Sequence, residues 1–183
     1  MAGRKRHLLP PTDSMFLLVE TPRTMMHVAA LMPFTPPADA GPSYLRDLVY
    51  RLRTEPPTPT FTKRLSHPQL LTHPLQSWVP DDEFDIEYHV RRSALASPGD
   101  ARELGILVSR LHSHQLDMSR PLWECHVIEG LEDGRFAIYA KIHHSLMDGF
   151  SSVKLLSRSL STSPDDLKSL PFWASPPPSR PKP

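Results

Sequence analysis

Two adjacent histidines stand four residues ahead of an Asp-Gly pair, in the pattern His143-His144-x-x-x-Asp148-Gly149. Imidazole is the side chain whose ordinary pKa lets it take or give a proton near neutral pH. A carboxylate beside it can orient it, cap a turn or hold a charge. Glycine lets another group approach the backbone closely. Three chemistries suit this set: a general base with supporting groups, a metal site, or a buried hydrogen-bonded cluster without chemistry. Neighbouring residues on a strand point to opposite faces, so both histidines on one metal would need irregular geometry. No HExxH or CxxC accompanies them. The residues alone leave base and structural cluster both open.

The elements around the motif predict how it is held. Phe136, Ile138, Ala140 and Ile142 alternate with Ala137, Tyr139 and Lys141, which is strand periodicity. Continued, that period puts His144 on the apolar face and His143 on the more polar one. Desolvation there would keep an imidazole neutral. Asp148-Gly149 is turn chemistry, and Val153, Leu156 and Leu160 then recur at helical spacing. The expected context is strand, turn, helix.

Earlier elements follow from the same rules. Thr12 to Glu20 begins with cap residues before an apolar run and predicts a short helix ended by Thr21-Pro22. Met26 to Phe34 predicts a buried strand in which His27 is structural. Leu45, Leu48, Val49 and Leu52 predict a helix capped by Ser43. Residues 60–80 read as an irregular connector with Trp78 anchored in the core. Phe84 to Val90 alternates as a half-exposed strand, with His89 on the solvated side. Asp100 and Glu103 resemble a capping box before the stripe Leu104, Leu107, Val108, Leu111. His112 and His114 late in that helix read as a solvated face. Leu122 to Glu129 then pairs with the motif strand as a hairpin through Gly130–Gly134.

Composition narrows the function. The 183 residues carry a net charge of +1, so nothing electrostatic argues for nucleic acid. Neither GxGxxG nor GxxxxGK[ST] is present, which argues against a nucleotide phosphate loop. Cys125 is the single cysteine, so no internal disulfide forms, and a cytoplasmic setting is the default. No apolar run reaches the ~18 residues of a membrane span. Arg4, Lys5 and Arg6 offer at most weak attraction to an anionic membrane surface. Of 22 prolines, only Pro121 falls between Gly99 and Ser163, so that window should hold the most regular structure. The expected organisation is a flexible 1–11, an α/β (α+β) domain with a mixed sheet over 12–160, and a Pro/Ser-rich linker or tail over 161–183.

Several stretches together resemble the amino-terminal domain of the wax ester synthase/acyl-CoA:diacylglycerol acyltransferase family. They are Pro11-Thr12-Asp13-Ser14-Met15-Phe16 with Glu20, Met26-His27-Val28, Phe84-Asp85-Ile86 with Tyr88-His89-Val90, Arg120-Pro121-Leu122-Trp123-Glu124 and the HHxxxDG motif. HHxxxDG alone is shared with condensation domains of peptide synthetases; the combination is what separates them. The resemblance implies a chloramphenicol acetyltransferase-like fold of two related domains. It implies transfer of a long-chain acyl group from acyl-CoA, as substrate rather than bound cofactor, to diacylglycerol or a fatty alcohol. It implies His144 as general base, His143 as support, Asp148 holding the motif through an arginine, and Gly149 allowing close packing at the channel. No metal is implied. The second domain of the family is not in this sequence, so a separate carboxy-terminal half is an expected partner, and lipid substrates make a membrane or lipid-droplet surface another. A non-catalytic remnant that binds lipid or coenzyme A is the competing reading.

Overall fold

The computed structural model describes residues 7–163 and 169–176. In chain order the elements are β1 (His7–Leu8), α1 (Pro11–Leu18), β2 (His27–Phe34), α2 (Tyr44–Thr54), β3 (Lys63–Leu65), β4 (Ser77–Pro80), α3 (Ile86–His89), β5 (Val90–Ala94), α4 (Ala101–His112), β6 (Trp123–Glu129), β7 (Phe136–His143) and α5 (Gly149–Arg158). The main sheet runs β2-β7-β6-β5. β7 is antiparallel to both β2 and β6, while β5 joins β6 in parallel, so the sheet is mixed. A small second sheet runs β1-β4-β3. No described helix is long and apolar enough to cross a membrane.

β7 lies inside the sheet with both faces covered, and seven of its eight residues are buried. On one face, Tyr139 and Ala137 pack with Ile128 against Leu104, Leu107, Val108 and Leu111 of α4. On the other, Phe136 and Ile138 meet Leu45, Leu48, Val49 and Leu52 of α2, and Ala140 and Ile142 join a core with Leu155 of α5. The hairpin is as expected, and Asp100 caps α4 by accepting from the Glu103 amide at 2.9 Å.

Four expectations need correction. The flexible start is only partly so: β1 pairs with β4, and Leu9 is buried with its amide donating to the Gln76 carbonyl. Residues 1–6 lie outside the described chain. The connector at 60–80 contains β3 and β4, because its backbone polar groups are satisfied by pairing with each other and with β1.

The alternating run Phe84–Val90 is no strand. Asp85 accepts from the Glu87 amide at 2.9 Å and starts the single turn α3. Such a turn carries His89 into the interior, where it stacks between Phe84 (ring centroids 5.1 Å apart) and Trp123 (4.6 Å). Its Nδ1 bonds the Trp123 carbonyl at 2.7 Å. Burial pulls its pKa down to about 4, so the ring is neutral rather than solvated.

The fourth correction falls in the expected tail. Phe172 and Trp173 are buried. Trp173 stacks on Trp123 with centroids 5.3 Å apart, and its carbonyl accepts from the Thr58 amide at 2.8 Å. Two large aromatic rings outweigh the turn-forming bias of the prolines around them. The final Pro-rich run from residue 177 lies outside the described residues.

Trp173→Ala should cost about 3–5 kcal/mol in a denaturant melt, the range for emptying a large aromatic site. His89 and His27, both held near pKa 4 against 6.5 when free, give a second expectation. Between those values the unfolded chain binds protons that the folded chain does not, so stability falls as pH drops from 6.5 to 4. His89→Gln should flatten that slope in denaturant midpoints measured across the window.

Candidate active site

β7 ends on the motif. The His143 amide donates to the Leu122 carbonyl at 3.0 Å and the His144 amide to the Met26 carbonyl at 2.9 Å, so both main chains are still held by the sheet's neighbours. The Leu146 and Met147 amides then turn back onto the His143 carbonyl. Asp148 starts α5 as its N-cap, accepting from the Ser151 amide at 2.9 Å and the Ser151 hydroxyl at 2.7 Å. Those bonds, the amide first, hold its carboxyl below the usual range, and it is ionised at neutral pH. Among the described residues, Asp148 pairs with Ser151 rather than with an arginine, its carboxylate turned onto the N–H groups that open its own helix. α5 also faces the core differently from the expected stripe. Ser152 and Leu155 are buried, while Val153 and Leu160 are exposed.

The two histidines have opposite environments. His143 is fully buried. Its Nδ1 accepts the Ser145 amide hydrogen at 3.0 Å and lies 2.7 Å from the Ser145 hydroxyl. The proton therefore sits on Nε2, which donates to Glu20 Oε2 at 3.3 Å. Glu20 also accepts from the Met26 amide and from Gln115 Nε2 at 2.7 Å. Desolvation works to raise the Glu20 pKa, but the bonds from His143, Met26 and Gln115 outweigh it and the carboxyl is held low. Glu20, His143 and Ser145 have the composition of a nucleophile relay. Ser145, however, is 1% exposed and its own amide occupies the same nitrogen, so no acyl donor reaches it.

His144 is the accessible one. Its ring stacks on Phe16 of α1, with centroids 4.8 Å apart and planes 15° from parallel. Partial burial, reinforced by His143 and opposed by Asp148, lowers its pKa, so it is neutral at pH 7. Among the described residues, no side chain hydrogen-bonds its nitrogens. Gly149 lies beside it: a Cβ at that position would stand 3.7 Å from His144 Cε1. That is ordinary van der Waals contact, so a side chain at 149 would lie against the imidazole edge without a clash. A neutral, half-exposed imidazole with unoccupied nitrogens can accept a proton from a group docking at the surface.

The strand-face expectation for the pair holds in part. His143 shares a face with Lys141 and Tyr139, as period two demands, but that face is buried too. Lys141 is 1% exposed, donating to the Leu111 and His114 carbonyls at 2.9 Å each and facing Glu124 at 3.7 Å. His144 lies beyond the strand, in the turn. His27, paired in register with His143, donates through Nε2 to the His112 carbonyl at 3.0 Å. His112 is tied to the sheet as well, its Nδ1 lying 3.0 Å from the Tyr139 hydroxyl. No group of three or more potential metal ligands gathers among the described residues.

Sequence reasoning noted Glu20 and Phe16 only as part of the resemblance. Glu20 lies two residues past the end of α1, so helical spacing alone does not place it on the side of Phe16. Gln115 and Ser145 carried no signal.

Asp148→Ala should lower stability by about 0.5–2 kcal/mol, and Asp148→Asn should retain most of it, since asparagine caps a helix nearly as well. An equal loss in both variants, read by thermal melts, would point to a charge partner instead.

Residues 9–183 match the family model for the wax ester synthase/diacylglycerol acyltransferase catalytic domain. A protein of Mycobacterium tuberculosis named as a diacylglycerol O-acyltransferase is 61% identical over 172 residues, 94% of this chain and 35% of its own length. The O-acyltransferase WSD of Acinetobacter baylyi is 39% identical over 90% of this chain and 35% of its own length. Among solved structures, the wax ester synthase/diacylglycerol acyltransferase of Marinobacter aquaeolei superposes with a TM-score of 0.83 at 42% identity, covering 91% of this chain and 40% of that one. A condensation domain of the CDA synthetase shares the fold alone, at 20% identity and a TM-score of 0.54. The chain spans about 35–40% of the length of the relatives it matches. With a mixed α/β fold and an HHxxxDG turn of this geometry, it belongs to the wax ester synthase/diacylglycerol acyltransferase family.

Proposed function

We propose that this chain supplies the proton-transfer half of an O-acyltransferase site, moving a long-chain acyl group from acyl-CoA to diacylglycerol or a fatty alcohol. The observation that carries the reading is His144: neutral, half-buried, its nitrogens unpaired among the described residues, just past the end of the central strand. In the reaction, His144 takes the proton of the acceptor hydroxyl as that oxygen attacks the thioester carbonyl. The tetrahedral intermediate collapses, the carbon–sulfur bond breaks, and the departing thiolate takes the proton back from His144. The products are an ester and free coenzyme A, with no covalent acyl-enzyme. This suits a site in which the Ser145 hydroxyl, held at His143 Nδ1, is buried.

The remaining groups fall into place around that step. His143 supports the turn, Asp148 starts α5 beside it, and Gly149 lies beside the imidazole edge. On this reading the donors for the developing oxyanion and much of the acyl channel come from a carboxy-terminal acyltransferase half, the proposed partner of a chain that spans about 35–40% of its relatives' length. Met15, Leu18 and Val19 on and just after α1 and Phe150 and Val153 on α5 are exposed on the helices that frame His144. Such an apolar rim suits contact with that half and with lipid substrates delivered from a membrane or lipid-droplet surface.

Acyl transfer from a long-chain acyl-CoA to diacylglycerol is the test, with the chain alone and mixed with the carboxy-terminal portion of a related enzyme. Activity should rise on mixing and fall about 10²–10⁴-fold in His144→Ala, the range for a lost general base. A folded mixture without activity, while the chain still binds acyl-CoA, would favour a binding module.

A further inference from the structure

We propose that Phe16 and Glu20 act as a clasp that positions both motif histidines, Phe16 on the ring face of His144 and Glu20 on the buried nitrogen of His143. The inference rests on the base reading of His144 for its catalytic meaning, and on geometry for everything else.

Phe16 lies in α1 and Glu20 two residues past its end, so four residues separate them and both face the end of β7. An offset ring stack at 4.8 Å restricts rotation of the His144 imidazole and removes water from one of its faces. Glu20 works on the same turn from beneath. One oxygen takes the His143 Nε2 proton and the Met26 amide. The Met26 carbonyl in turn takes the His144 amide. Glu20 thus holds the side chain of the first histidine directly and the main chain of the second through one residue. Its other oxygen is held by Gln115, which ties the clasp to the connector between α4 and β6. Because Glu20 holds the Nε2 proton of His143, Nδ1 stays free to accept the Ser145 amide, and that bond fixes the first step of the turn. Reacting groups must be held within a fraction of an ångström for a proton transfer of this kind. The clasp is the part of the fold that supplies that restraint for His144.

Charges that reach His144 are His143, which lowers its pKa, and Asp148, which raises it. Neither is touched by substitutions at Phe16. Imidazole nitrogen NMR on the full chain then separates positioning from mere support. Phe16→Ala, at a half-buried position, should move the His144 midpoint up toward the ordinary value of about 6.5, and Phe16→Tyr, which keeps the flat face, should restore it. Should Phe16→Ala fail to fold, Phe16→Leu keeps the volume without the stack and answers the same question. Glu20→Gln should convert His143 from a single Nε2-protonated form to a mixture of tautomers, with faster solvent exchange of its ring proton. An unchanged His144 midpoint in a folded Phe16→Ala or Phe16→Leu, together with an unchanged His143 tautomer in Glu20→Gln, overturns the clasp. In the mixed, active enzyme, the acid limb of the pH–rate profile should shift with the His144 midpoint. A midpoint that moves while the limb stays put leaves the clasp standing and overturns His144 as the base.

Discussion

A carboxylate whose side chain is wholly buried survives as an ion only if the fold surrounds it with donors. Glu20 is such a group, and the segments that supply its donors are those that make the site. Met26 opens β2, Gln115 follows α4 and His143 closes β7. Removing one donor leaves the charge short of partners, so these segments are held to one another by a common requirement. The hydrogen bonds also set a direction. With Nε2 committed to Glu20, His143 presents an acceptor to the next amide and starts the turn that delivers His144 to the surface.

Behind the site, β7 is the strand on which other elements converge. Its second face carries Lys141 and Tyr139 into the interior, and both are paired there. Lys141 closes the carbonyl end of α4, where a cation is also favoured by the helix dipole. Glu124 faces it, with His126 and Arg91 beyond. Burial by itself makes each of these groups costly; together they leave few unpaired polar atoms beneath the helix. A polar layer with such specific partners fixes the register of α4 on the sheet more narrowly than apolar contacts would.

The outer rim obeys a different rule. Around His144, Met15 and Leu18 of α1 and Phe150 and Val153 of α5 are apolar and exposed, while Phe16 is drawn onto the imidazole. The scaffold is thus closely hydrogen-bonded around His143 and Glu20, while apolar side chains stand exposed beside His144.

From sequence alone, strand periodicity in Phe136–Ile142, the capping pair Asp100 and Glu103, and the HHxxxDG turn were legible, because each is a local pattern with a local physical cause. His143, His144, Asp148 and Gly149 stand out as a candidate site through the HHxxxDG pattern and the family it resembles, while the residue types alone leave a base and a structural cluster both open. Tertiary structure decided the rest. His89 sits in a short alternating run that suits strand or helical turn equally, and only the aromatic slot between Phe84 and Trp123 selects the turn. Phe172 and Trp173 lie among prolines that locally argue for a linker, and only the aromatic cluster around Trp123 and Phe61, distant in sequence, gives them somewhere to bury. Which histidine is buried and which is open depends on where β7 stops, and that is set by partners more than twenty residues away. Local pattern determined which residue types meet in the motif; non-local burial and hydrogen bonding decided that His143 is enclosed and His144 is the more accessible of the two.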